Sequence, residues 1–407
     1  MHSIRLRLIL FGALAAMLVA PPAEAAARSA GQGREGPAPA LDAVRLARID
    51  AVVRDAIAAG QLPGAVVLVA HAGRTVYRQA FGHRAVSPVR EPMTVDTIFD
   101  LASLTKAIAT APSVMVLVEE GVVRLRDRVA RYLPGFERHG KDAVTIEHLL
   151  THVSGLRPDL PLEEEFEGTG EALRRVFAER LAAPPGETFI YSDLNFLLLG
   201  EIVRRVSGTP LDVFAAERLF VPLGMLDTSF RPGSDRVARI APTEACTPLG
   251  WPCGGPGAVM LRGTVHDPTA RRMGGVAGHA GLFGTADDLA RFGALLLAGG
   301  RAPSGAALLS PLTVARMTRP STPARLPDVR GLGWDIDSRY SSNRGDLFAR
   351  GSYGHTGFTG TSIWIDPQTE TVVVFLSSRV HPAGGGDVVR LRGLVATLAA
   401  AAVGVVQ

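Results

Sequence analysis

The stretch FDLASLTKAIATA, residues 99–111, sets a serine and a lysine three positions apart in otherwise apolar sequence. At helical spacing Ser103 and Lys106 share one face and can hydrogen-bond. A core helix has little use for either group, whereas nucleophilic chemistry uses both. Serine is a poor nucleophile until a nearby base accepts its proton. Lysine can be that base when burial disfavours its ammonium; arginine stays protonated. Lys106 and Lys141 are the only lysines among 43 Lys and Arg residues, so a lysine at this place is a pointed choice. The helix start adds free backbone N–H groups that can hold an oxyanion. An isolated S-x-x-K is common by chance, so the reading depends on partners elsewhere in the chain.

Upstream, residues 41–59 carry apolar positions at helical spacing and stop at Gly60, which predicts an amphipathic helix. GAVVLVAHAG and RTVYRQAFG follow as two β-type runs joined through His71-Ala72-Gly73, a hairpin. Ala102 to Gly121 reads as helix, with Pro112 kinking it after its first turns. Residues 127–320 read mainly as helices and long loops, the clearest helices being TIEHLLTH, EALRRVFAERLAA, DLNFLLLGEIVRRVSG and TADDLARFGALLLAGG. Strand character returns in LGWDI, GTSIWIDP and TVVVFLSS, before an apolar helix at about 386–403. Strands from both ends around a helical middle predict an α/β fold: one sheet flanked by N- and C-terminal helices, with a helix-rich insertion. The α/β part spans about 41–125 and 325–403, the insertion about 126–324, within one domain at 41–403. A groove between the two is the expected site.

The chain has 407 residues, 47% hydrophobic and 20% charged, enough to bury a sizeable core. Its N-terminus has Arg5 and Arg7, the apolar run LILFGALAAMLVA and an A-x-A site at Ala23-Glu24-Ala25: a cleavable secretory signal over 1–25. The apolar run is too short for a comfortable span, so no stable membrane span is expected after cleavage and the protein is expected to be periplasmic or extracellular. Residues 26–40 read as a small-residue, Pro/Gly-rich linker. Net charge is only +4 and no basic run exists, which argues against a nucleic-acid partner. In an exported chain a local disulfide between Cys246 and Cys253 is the leading reading, two free thiols the alternative.

Ser103-Leu-Thr-Lys106 resembles the S-x-x-K of penicillin-recognising serine hydrolases: class C β-lactamases, D-alanyl-D-alanine carboxypeptidases and related esterases. RDRVARYLPGF, TIEHLLTHVSGL, PPGETFIYSDLNFLLLGEIV and GGVAGHAGLFGTADDLARF resemble further blocks of this family, in its order, over roughly residues 45–380. The resemblance implies a β-lactamase/transpeptidase-like fold with an antiparallel sheet, Ser103 as nucleophile, and Lys106 with Tyr191 handling protons. A phenol beside an ammonium gives up its proton more readily, so Tyr191 can act as base and later as acid.

The family's Y-x-N reads Tyr191-Ser192-Asp193 here. Asp193 has two readings: an acid in the first turn of the following helix, or a carboxylate lining the acyl-side pocket, where it cannot donate to a substrate amide. In the second case it can also pair with Lys106, raise that lysine's pKa and shift the base role to Tyr191. The family's K-T-G reads His355-Thr356-Gly357, an H-T-G variant; by the same correspondence the Phe358 N–H joins that of Ser103 as oxyanion donor. Histidine is mostly neutral at pH 7 and attracts a substrate carboxylate less than lysine would, which lowers the expectation of efficient β-lactam hydrolysis. Asp193, His355, Thr356, Gly357 and Phe358 thus form the expected substrate-binding set.

Other constellations are weaker. No G-x-S-x-G elbow occurs, which disfavours an α/β-hydrolase. His148 and His152 stand at i, i+4 without H-E-x-x-H, and no metal or other cofactor is expected. His266, Asp267 and His279 read as loop anchors. The expectation is an exported serine hydrolase acting through an acyl-enzyme on a small peptide, ester or β-lactam-like substrate, with D-alanyl peptide trimming preferred. A non-catalytic penicillin-binding or scaffold protein is the rival reading.

Overall fold

All eight residues of Gly64–His71, strand β1, are buried, and period-two alternation divides them between two cores. Val66 and Leu68 enter the larger core, Ala65, Val67 and Val69 the smaller. A strand buried on both faces is the centre of a layered fold, which the computed structural model, describing residues 41–403, shows. The expected signal and linker lie outside the described residues.

The other strands of this sheet are β2 (Arg74–Ala85), β3 (Glu91–Pro92), β4 (Val329–Arg330), β5 (Asp335–Asp337), β6 (Tyr353–Thr356), β7 (Ser362–Asp366) and β8 (Thr371–Ser377). They run β3-β2-β1-β8-β7-β6-β5-β4, and every neighbouring pair is antiparallel. The β1–β2 hairpin turns through Ala72 (φ 48°) and Gly73 (φ 75°), the two positive-φ positions that a two-residue hairpin turn uses. Chain-distant segments meet at the sheet's middle, where Val67 pairs with Phe375 and Val374 with Ile363.

Helices α1 (Ala43–Ala58) and α6 (Val389–Ala402) cover one face. Leu46, Ile49 and Val53 of α1 and Leu391, Val395 and Ala399 of α6 pack with Val67, Trp364 and Phe375. Asp42 caps α1, its carboxylate accepting from the amides of Val44 (3.0 Å) and Arg45 (3.1 Å). The opposite face carries the larger core, to which α2 (Ala111–Glu119), α3 (Asp193–Ser207) and α5 (Ala286–Leu297) contribute. Helix α5 falls in the stretch read as the insertion, yet its Gly293 lies so close to Val372 of β8 that a Cβ would meet the valine methyls. Between α3 and α5 in sequence lies the short α4 (Pro268–Arg272).

Three local expectations need correction. Ser103 sits in the turn ahead of the helix, because Ala102 (φ 46°) breaks the helical path, and regular turns begin at Leu104. Pro112 does not kink the helix behind it; the irregularity is a π turn over Lys106–Thr110 ahead of it, where the Ala111 amide bonds the Lys106 carbonyl. Proline lacks the N–H that would continue the ladder there and sits in the first turn of α2. The helix read at 171–183 spans Thr169–Ala178; Glu179 turns extended, and buried Lys141 donates to the carbonyls of Phe177 (3.0 Å) and Glu179 (2.5 Å). Cys246 and Cys253 are disulfide-bonded.

Candidate active site

The nucleophile turn is tied on every side. The buried Asp100 carboxylate accepts from the amides of Ala102 (2.9 Å) and His266 (2.7 Å). Thr359 and Thr361, on the loop between β6 and β7, donate their hydroxyls to the carbonyls of Asp100 (2.7 Å) and Leu101 (3.1 Å). Phe99–Asp100 pairs with Leu282–Gly284, so the small second sheet grips the same turn from the other side. This bracing holds Ala102 in its left-handed conformation and points Ser103 into a cavity of about 580 Å³.

The structure brings the residues named from the sequence to this cavity. Ser103, Tyr191, Asp193, His355, Thr356, Gly357 and Phe358 line it, and Lys106 lies beneath Ser103. Lys106 Nζ, fully buried, donates to Ser103 Oγ at 2.9 Å and to the His279 carbonyl at 3.1 Å, and forms an ion pair with Asp193 Oδ1 at 2.6 Å. Burial opposes the ammonium, but the Asp193 carboxylate and the Tyr191 hydroxyl beside it outweigh that and hold Lys106 above its ordinary value. Asp193 combines both of its readings: first turn of α3 and partner of Lys106.

Tyr191 stacks on His152 at 4.4 Å between ring centroids and packs obliquely on Tyr340 at 5.2 Å. His152 is not part of a metal-binding helix, because that helix ends at Leu150 and His152 is left-handed (φ 59°). Its Nδ1 accepts from the Ser192 amide at 3.1 Å, fixing the residue next to Tyr191. Burial, reinforced by Arg330 and Lys106, pushes His152 well below its ordinary pKa and keeps it neutral.

His355 is buried rather than exposed, and burial with Arg330 and Lys106 nearby drives it well below its ordinary pKa. Its Nδ1 lies 2.8 Å from the Thr356 carbonyl, which can only accept, so Nδ1 carries the proton and Nε2 keeps its lone pair. This position therefore offers the cavity a neutral ring where lysine would offer a cation. Gly357 has no room for a side chain, since a Cβ would overlap the Thr361 hydroxyl and the Leu101 carbonyl. Among the described residues, neither the Ser103 nor the Phe358 amide donates to a protein acceptor.

Sequence reasoning missed an acidic wall. Ligand atoms of Asp159, Asp193 and Asp267 fall within 4.8 Å of one another. Each has a protein partner: Lys106 for Asp193, His279 Nε2 for Asp267 (2.9 Å), and the Leu160 amide (2.7 Å) with the Thr269 hydroxyl (3.2 Å) for Asp159. Burial and the two neighbouring carboxylates push Asp159 up to about 7. Burial works against a charged His279, but Asp267 outweighs it and raises that pKa. Asp267 is also the loop anchor expected, capping α4 through the Ala270 amide (2.7 Å). A second group, Glu244, Cys253 and His266, has its sulfur committed to the disulfide. Arg330, Tyr340 and Trp251 also line the cavity and carry no local motif; Trp251 lies in the loop that the disulfide closes.

Comparison with known proteins places these features in context. The family model described as Beta-lactamase matches residues 49–397. A Salmonella schwarzengrund protein named "Putative D-alanyl-D-alanine carboxypeptidase" is 32% identical over 383 residues, covering 84% of each chain. An Escherichia coli K12 protein of the same name is 32% identical over 366 residues, covering 83% of each. Among solved structures, EstCE1, "a hydrolase with promiscuous acyltransferase activity", superposes with a TM-score of 0.69 at 25% identity, over 88% of this chain and 98% of its own.

Proposed function

The chain belongs to the β-lactamase family, and from that premise we propose that it is an exported serine hydrolase acting through a Ser103 acyl-enzyme on an amide or peptide of cell-wall type. The observation that carries this reading is the 2.9 Å hydrogen bond from buried Lys106 to Ser103 Oγ, in a cavity large enough for a short peptide.

Because Asp193 keeps Lys106 charged, the ammonium serves as hydrogen-bond donor and electrostatic anchor in the resting enzyme. Tyr191 acts from its phenolate form, whose oxygen takes the Ser103 proton as Oγ attacks the carbonyl carbon. The amides of Ser103 and Phe358 receive the oxyanion. Collapse breaks the C–N bond, Tyr191 returns the proton to the departing amine, and an acyl ester on Ser103 remains. Water, giving a proton to the same base, then releases the acid and restores Ser103.

Preference for a D-alanyl peptide rests on the names of the 32% identical relatives. A second reading, an esterase, is favoured by neutral His355 and the Asp193 carboxylate, which together reward an uncharged substrate and work against a carboxylate-bearing β-lactam, leaving β-lactamase activity weak. Placement outside the cytoplasm rests on the basic and apolar N-terminal pattern; no helix among the described residues is long and apolar enough to cross a membrane.

Intact-mass spectrometry of wild type and Ser103→Ala tests the proposal, using benzylpenicillin, an N-acyl-D-Ala-D-Ala peptide and p-nitrophenyl butyrate. Wild type is expected to form an adduct or turn over at least one, and the alanine variant none. An adduct that survives in Ser103→Ala removes the nucleophile, and complete inertness of wild type favours a non-catalytic scaffold.

A further inference from the structure

Behind the loop that follows β6, two arginines hold backbone carbonyls. Arg392 Nη2 donates to the Gly357 carbonyl at 3.0 Å, and Arg379 Nε to the Phe358 carbonyl at 2.9 Å. The Gly360 amide gives the Gly357 oxygen a second donor at 3.2 Å. Arg392 projects from α6, is 6% exposed, and has a buried Nε without a partner. Among the described residues it forms no ion pair, and burial, with Arg379 nearby, pushes it down to about 9. An unpaired buried guanidinium is costly, and an apolar side chain would suit this helix better for stability alone.

The peptide group explains what the cation does. A peptide unit is planar and trans, so the Gly357 carbonyl and the Phe358 N–H point in opposite directions. Holding the carbonyl against Arg392 aims the Phe358 N–H away from the guanidinium. A charged donor on the carbonyl also polarises the unit and strengthens its N–H as a donor. The Ser103 amide has an uncharged counterpart: the Ala102 carbonyl accepts from the Thr105 amide (3.0 Å) and hydroxyl (2.7 Å). One oxyanion donor is thus backed by neutral groups and the other by a cation from the C-terminal helix.

We propose that Arg392, which also lines the cavity, is a positioning residue of the oxyanion site, orienting and polarising the Phe358 amide through the Gly357 carbonyl. The proposal rests on the reading of Ser103 as nucleophile and of the Phe358 amide as oxyanion donor.

The test measures wild type, Arg392→Met, Arg392→Lys and Arg392→Ala for p-nitrophenyl butyrate turnover, melting temperature and the Phe358 amide resonance in ¹H–¹⁵N spectra. Arg392→Met is expected to lower kcat by about tenfold to a hundredfold, below the loss for deleting a whole oxyanion donor, with KM within about twofold. Its melting temperature should equal or exceed that of wild type, and the Phe358 amide proton should shift upfield. Arg392→Lys should recover most of kcat and of the shift, and methylguanidinium should restore turnover to Arg392→Ala. An unchanged Phe358 resonance in Arg392→Met overturns the proposal, as does unchanged kcat, a rise in KM alone, or equal losses of kcat and melting temperature in the methionine and lysine variants. Wild type that forms no Ser103 adduct and turns over none of the three substrates overturns the hydrolase reading itself, and the catalytic part of this inference with it. An active wild type matched by Arg392→Met overturns the inference alone.

Discussion

Lys106 Nζ and Asp193 Oδ1 lie 2.6 Å apart, so the ammonium next to the nucleophile is balanced by the carboxylate that takes the place of asparagine in the Y-x-N pattern that Tyr191-Ser192-Asp193 resembles. That one contact sets the charge of the acyl-side pocket. With Asn at this position the cavity loses a carboxylate that repels anionic ligands and gains an amide donor. Asp193→Asn is expected to speed acylation by benzylpenicillin by about tenfold, the equivalent of about 1.4 kcal/mol in the barrier. It should also cost about 3 kcal/mol of stability while Lys106 stays charged, because a buried cation loses its partner. Stopped-flow acylation and urea melts measure both; an unchanged or slower acylation rate removes Asp193 from the pocket reading.

Tyr191→Phe tests the proton route. The phenyl ring keeps the stack on His152, so the fold around it should persist. Loss of the hydroxyl removes the group assigned as base and acid, and kcat for p-nitrophenyl butyrate should fall by about 10² to 10⁴ with KM little changed. Activity within a few-fold of wild type would return the base role to Lys106.

Asp159 gives stability a pH dependence of definite sign. Burial and the neighbouring Asp267 and Asp193 raise it in the folded state to about 7, above its unfolded value. Below about pH 4 both states hold the proton and no penalty exists. Above that the unfolded chain ionises first, and the folded state loses stability progressively up to about pH 7, by at most about 4 kcal/mol. Asp159→Asn removes this penalty while keeping an acceptor for the Leu160 amide. It should therefore melt higher than wild type at pH 8, and the difference should disappear near pH 4. Equal melting temperatures at pH 8 would show that Asp159 is ionised without cost.

The layered fold was legible because the short apolar, β-branched runs of β1 and β8 and the helical patterns of α1, α3 and α5 are local signals. The site residues carried by short motifs, from Ser103 to Phe358, were legible for the same reason. Other features depend on non-local contacts. Asp159 precedes α3 and Asp267 caps α4, and only the fold brings their carboxylates together. Arg392 sits in an apolar helix and reads locally as a solvent-facing arginine; only the sheet behind it reveals the Gly357 carbonyl it serves. Strands of two residues such as β3 and β4 carry too little pattern to read, whereas β5 was met by the strand character of LGWDI. Ser103 was read as part of its helix rather than of the turn just ahead of it because the positive φ of Ala102 is imposed by tertiary bracing on a residue that ordinarily favours helix.

His355 decides how far the site stands from one built for carboxylate-bearing substrates. Its neutral state follows from burial and from Arg330 and Lys106, both of which oppose a further positive charge. Restoring lysine at this position therefore adds a third cation to a buried region already holding two. His355→Lys is expected to lose about 2 kcal/mol or more of stability and to gain little benzylpenicillin acylation on its own. Combining it with Asp193→Asn should not relieve the strain, because Asp193 is the anion that balances Lys106. In wild type, the His355 ring ¹⁵N resonances should show no titration between pH 5 and 8, with Nδ1 protonated throughout. A midpoint near 6.5 in that titration would put a cation in the cavity at acid pH and reverse the preference for uncharged substrates.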